Sequence, residues 1–160
     1  MIMTDQADLK PVPVRKRTAA RLAAIQVDYE VGMTEKSLPD AMSQFLAHYA
    51  GDIAEEMQVK KIDEAHFNEL SALMADKRDE IDTLIAERLE EGWTIERLAR
   101  HELSALRAAI IELKYMPHIP AKAVISEYLS LTDAYQGDVK FVNAVIDQVA
   151  RQLRMAEMSS

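Results

Sequence analysis

Apolar residues recur along the chain at intervals of three and four, the spacing that lines side chains along one face of an α-helix. Leu22, Ile25 and Tyr29 open the series inside an alanine-rich stretch from about Val14 to Val31, and Gly32 supplies a stop. Pro11 and Pro13 discourage a helix before Val14. The next stripe, Met42, Phe45, Leu46 and Tyr49, follows Ser37-Leu38-Pro39-Asp40, a serine cap with an acid three residues on and a proline in the first turn. Gly51 is the expected end of that helix, and residues 52–61 read as loop. Asp63 starts a third helix, with Ile62 before it and Phe67 placed as in a hydrophobic staple. Apolar positions then hold nearly one phase from Phe67 to Leu89. Lys77 or Arg78 interrupts them, so the segment reads equally as one long helix or as two broken near Asp76–Asp79.

Thr94 is placed to cap the following helix, whose stripe of Leu103, Leu106, Ile110 and Leu113 runs to Pro117. Pro120 begins another, bearing Val124, Ile125, Tyr128 and Leu129 and closed by Gly137. The last runs from about Asp138, with Val142, Val145, Ile146, Val149 and Leu153 facing inward. No alternating run of strand length occurs. The pattern predicts an all-α protein of six or seven helices. Its expected organisation is a flexible arm over 1–13, one domain over 14–154 and a short tail over 155–160.

The chain has 160 residues, enough for a sizeable core without a staple, and no cysteine, which excludes disulfides and thiolate metal sites. No apolar run approaches a membrane span and no export signal is visible, so a cytoplasmic location is expected. With glycine only at 32, 51, 92 and 137, no phosphate-cradling loop can be written. His48, His66, His101 and His118 are scattered, and Ala105 stands where His101-Glu102 would need a second zinc-binding histidine. The acids fall on polar helix faces without a distinguished pair. No enzyme, metal site or cofactor is expected.

Charge changes the picture. The net charge is −8, yet residues 1–21 hold Lys10, Arg15, Lys16, Arg17 and Arg21 against Asp5 and Asp8, which leaves −11 on the rest. One basic end on an acidic body suits a local anion contact better than general polyanion affinity. Arg17 and Arg21, four apart, share one side of the first helix, while Arg15 and Lys16 sit where the arm enters it. Guanidinium groups suit phosphates and stack on unpaired bases. The plain alternative is a solvated helix start, which opposes the helix dipole and calls for a compensating acid. Tyr29, Tyr49, Tyr115, Tyr128, Tyr135 and Phe141 read as core or core edge, and Trp93 as a packing anchor. Arg107, inside an apolar stretch, reads as a paired structural arginine whose partner is an acid such as Glu112 or Glu127.

The ordered motifs Trp93-x-Ile95-x-Arg97-Leu98, Leu106-Arg107, Glu112-Leu113, Ile119-Pro120-x-Lys122-x-x-Ile125-x-Glu127 and Lys140-Phe141-Val142-Asn143-x-Val145-Ile146-Asp147 resemble the NusB family of bacterial transcription antitermination factors. Arg17-x-x-Ala20-Arg21-x-x-Ala24-Ile25-Gln26-x-x-Tyr29 is similar to that family's opening helix, so the likeness spans about residues 14–153. Ala144 and Ser126 depart from the usual Gly and Asn, and the Gln136–Val139 loop is about two residues shorter than in well-known members. The resemblance implies two small helical bundles packed together. It further implies binding of a single-stranded boxA-type RNA jointly with NusE, a small-subunit ribosomal protein, within an antitermination complex on RNA polymerase. Carried over by position, Arg15, Lys16, Arg17, Arg21, Lys140 and Phe141 are the implied RNA contacts, and Tyr29 and Glu102 the implied partner contacts. The competing expectation is an acidic protein-interaction module without direct RNA binding, serving ribosome assembly.

Overall fold

The computed structural model of the protein describes residues 11–159; most of the expected N-terminal arm, residues 1–10, lies outside them. The described chain forms helices α1 (Pro11–Met33), α2 (Leu38–His48), α3 (Ala50–Glu56), α4 (Glu64–Asp76) and α5 (Arg78–Ala86). A 3-10 turn (Ile95–Arg97) leads into α6 (Arg100–Tyr115), α7 (Ala121–Ala134), α8 (Val139–Leu153) and α9 (Met155–Met158). The class is all-α, with nine α-helices among the described residues instead of six or seven.

The difference has local causes. Gly51 does not end a helix. The break comes at Tyr49, φ −124°, and the chain re-enters helix at once as α3, where the sequence suggested a loop. A side chain on Gly51 would meet nothing within 4 Å, so neither space nor conformation requires glycine there. The left-handed residue after α3 is Gln58, φ 61°. The long 63–91 stripe resolves into two helices with Lys77 between them, at φ −104° and ψ 17°. α1 begins at Pro11, before Val14, because the first turn of a helix needs no N–H that proline lacks. Thr94 precedes the 3-10 turn without a side-chain cap, and α6 starts later, behind Ala99.

The chain divides into two compact units, one ending at Ala72 and the other beginning at Leu73, a boundary inside α4. In the first unit α1 packs on α2 and α3, and α2 on α3. Its buried side chains include Ile25, Phe45, Ile53 and Phe67, with the Phe45 and Phe67 rings stacked at 5.9 Å. Ser37 caps α2 by accepting from the Asp40 amide at 3.2 Å.

In the second unit α6 is central. It packs on α5, α7 and α8, and every residue from Leu103 to Leu113 is buried. The buried polar groups of α6 are matched in kind. Arg107 grips Asp82 of α5 through two bonds, Nε–Oδ1 at 2.8 Å and Nη2–Oδ2 at 2.9 Å. The partner is an acid, as an arginine in an apolar stretch requires, but it is Asp82 rather than Glu112 or Glu127. Tyr128 of α7 donates its hydroxyl to Glu112 at 2.5 Å. Arg154, just past α8, donates to the carbonyls of Leu113 and Met116 at 2.8 and 3.1 Å and so closes the C-terminal end of α6. Trp93 is not the expected anchor. It is 49% exposed, with the Arg97 guanidinium 4.8 Å above its ring. Tyr49 is likewise exposed rather than core.

Candidate nucleic-acid interface

The first group of expected contacts lies at the start of α1. Arg15 is exposed and donates Nη1 to Gln58 Oε1 at 3.0 Å. Lys16 is half-buried, and its backbone carbonyl accepts from the Asp63 amide at 3.1 Å. Arg17, its side chain 40% exposed, places Nε 3.8 Å from Asp63 Oδ2. Asp63 also accepts from the His66 amide at 3.1 Å, capping α4. Asp63 is thus the acid that compensates the positive start of α1. A long-range contact of this kind leaves no spacing signal, and neither Asp63 nor Gln58 was foreseen.

Arg21 is different. It is only 3% exposed, although it was expected among the RNA contacts. The four-residue spacing does put it one turn beyond Arg17, but there the helix side turns inward beside the buried Leu22 and Ile25. Arg15 and the outer part of Arg17 face solvent, and Arg21 does not. Tyr29, two turns further along α1, is half-buried.

The second group lies in the other unit, at the start of α8. Lys140 is exposed and Phe141 half-buried. Asp138 caps the helix by accepting from the Phe141 amide at 3.0 Å. Immediately before it the turn is tight. Gln136 is left-handed at φ 60°, and the Gly137 amide donates to the Thr132 carbonyl at 2.9 Å. Gly137 is required by close approach, since a Cβ there would lie 2.9 Å from Thr132 Cγ2 and 3.2 Å from Glu102 Oε2. Glu102 accepts from the Asp138 amide at 2.8 Å. His101 stacks on Tyr135 at 4.8 Å, a pairing that sequence spacing could not show. His101, Glu102, Thr132, Tyr135, Gln136 and Gly137 line a cleft of about 170 Å³.

The described residues form an all-helical scaffold. It carries a short cationic stretch at the start of its first helix, and an exposed Lys140 beside the half-buried Phe141 at the start of α8. The NusB family model matches residues 18–151, and the chain belongs to the NusB family. It is 33% identical to the transcription antitermination protein NusB of Rhodopseudomonas palustris (strain BisB18), covering 98% of this chain and 97% of that one. It is 36% identical to the NusB protein of Novosphingobium aromaticivorans, covering 88% and 96%. Among solved structures, a chain from the crystal structure of antitermination factors NusB and NusE in complex with double-stranded RNA superposes with a TM-score of 0.69 and 25% identity. That match covers 86% of this chain and 98% of the other. The T. maritima NusB structure, TM-score 0.68 at 23% identity, shares the fold.

Proposed function

We propose that the chain is a cytoplasmic RNA-binding adaptor of transcription antitermination. In this reading it holds a single-stranded boxA-type RNA jointly with NusE and promotes read-through by RNA polymerase, notably in ribosomal RNA operons. The observation that carries the reading is the nearly full-length match to antitermination proteins called NusB. The cationic stretch agrees with it: Arg15, Lys16 and Arg17 form the phosphate-facing group, and Lys140 with Phe141 a second contact suited to an unpaired base. Arg21 enters as a buried residue beneath the first group. Tyr29 is a proposed NusE contact. Glu102, the other expected partner contact, accepts from the Asp138 amide through Oε2.

The test is binding of a boxA-like single strand, a scrambled strand and a boxA duplex, each with and without NusE. The single boxA strand should bind best, and more tightly with NusE. Equal binding of the boxA and scrambled strands would remove the reading. Preference for the duplex would keep RNA binding and replace the single-stranded substrate.

A second reading rests on the −11 carried beyond residue 21 and on the internal partners of Arg15 and Arg17. Here the acidic body docks a basic protein without touching RNA, in ribosome assembly. A gel-shift assay separates the two, because partner binding with no RNA shift favours the second.

A further inference from the structure

The turn between α7 and α8 carries a contact whose consequence reaches the RNA face. We propose that Glu102 is a positioning residue, a latch that fixes the start of α8 and thereby the placement of Lys140 and Phe141. This inference rests on the reading of those two residues as RNA contacts.

The turn is short and strained. Gln136 occupies the left-handed region that a side chain disfavours, so the conformation persists only if the surroundings hold it. Three ties do so. The Gly137 amide is bonded back to Thr132 at the end of α7. The Tyr135 ring lies against His101. Past the turn, Asp138 is held on both sides: its side chain caps α8 through the Phe141 amide, and its own amide is bonded to Glu102 of α6. The last bond is charge-assisted, and it alone among these ties links the cap residue to the central helix α6. Lys140 and Phe141 are two and three residues beyond that anchor. Gly137 leaves the space the carboxylate needs, since a methyl group would crowd Glu102 Oε2 at 3.2 Å. A glutamate committed in this way acts through the turn. A glutamate serving as a charge for a basic partner would instead depend on its negative charge.

Glutamine separates the two roles, because it keeps an acceptor oxygen and loses the charge. Binding of a boxA-like single strand to the full chain, with and without NusE, is measured for wild type, E102Q, E102A and K140A. Exchange of the Asp138 amide is followed alongside. For a latch, E102A weakens RNA binding about ten- to a hundred-fold, the size expected for losing a hydrogen bond to a charged group, and speeds Asp138 exchange. E102Q stays within about two-fold of wild type on both measures. G137A, which presses on the latch without altering its charge, should reproduce E102A and serves if E102A folds poorly. If E102Q and E102A weaken NusE binding equally while RNA binding alone is unchanged, Glu102 is a partner charge and the latch is wrong. An effect of K140A with none from E102A or G137A also overturns the latch while sparing the RNA reading. No effect of K140A removes the RNA face and the latch with it.

Discussion

Arg107 and Asp82 show what single residues contribute. Burying an ion pair gains little by itself, but removing one member leaves a desolvated charge. Arg107 is 7% exposed at its side chain and meets both carboxylate oxygens, so R107A should destabilise by about 3–5 kcal/mol. Chemical denaturation would show this, and a loss below about 1 kcal/mol would mean the pair is solvated. Tyr128→Phe removes the hydroxyl that Glu112 accepts in the core and should cost about 1–3 kcal/mol in the same assay. Tyr115 gives a spectroscopic reading instead. Its hydroxyl donates to Glu80 at 2.6 Å, and this bond to a carboxylate raises its pKa to about 12. Its phenolate signal, isolated as the difference between wild type and Y115F, should appear near 12 rather than 10. The stability from this bond is full below pH 10 and is lost as pH rises through about 12. Sequence identified Arg107 as paired because an arginine amid apolar residues demands it. It could not find Asp82, which lies 25 residues upstream on another helix.

At the scale of elements, ends prove harder to read than stripes. Ser37 was legible as a cap, because a short polar side chain before an apolar period has few other uses there, whereas Asp138 was read only as the approximate start of its helix. The break at Lys77 was one of two readings the interrupted stripe offered, but the break at Tyr49 was not legible, since a residue of ordinary helix propensity stands there. The C-terminus of α6 is closed from a distance too. Arg154 reaches its last carbonyls, and Glu157 bonds both Arg154, Oε1 to Nη1 at 2.7 Å, and the Ala121 amide at the start of α7. R154M should orphan those carbonyls and cost about 2–3 kcal/mol by denaturant melt. For Glu157 the sign runs with acid. The Ala121 amide and then the Arg154 guanidinium hold its pKa below 4.5, so its contribution is present above 4.5 and is lost as pH falls through the lower folded value. The Tm gap between wild type and E157Q should therefore narrow from pH 6 to pH 3. A constant gap would show that charge plays no part.

Across the whole chain, residues 1–21 carry +3 and the rest −11, an asymmetry legible from charge counts alone. The all-helical class was equally plain from periodicity, whereas Arg21 shows where counting stops. Charge and spacing assigned it to the cationic stretch, but only tertiary packing decides whether a guanidinium faces water or is buried. The cationic group open to phosphate is therefore smaller than the basic run suggests, and salt dependence measures its size. Each phosphate contact on a single strand contributes about −0.7 to the log–log slope, so three or four contacts give roughly −2 to −3. Raising salt fourfold should then weaken RNA binding by about 15- to 60-fold. Substituting Ala at both Arg15 and Arg17 should flatten the slope by about 1.4, whereas a change at buried Arg21 should lower stability and leave the slope nearly intact. If instead the Arg21 variant flattens the slope as much as the Arg17 variant does, the first helix must turn that side chain outward when RNA binds. The anion contact would then be assembled by the ligand rather than presented in advance.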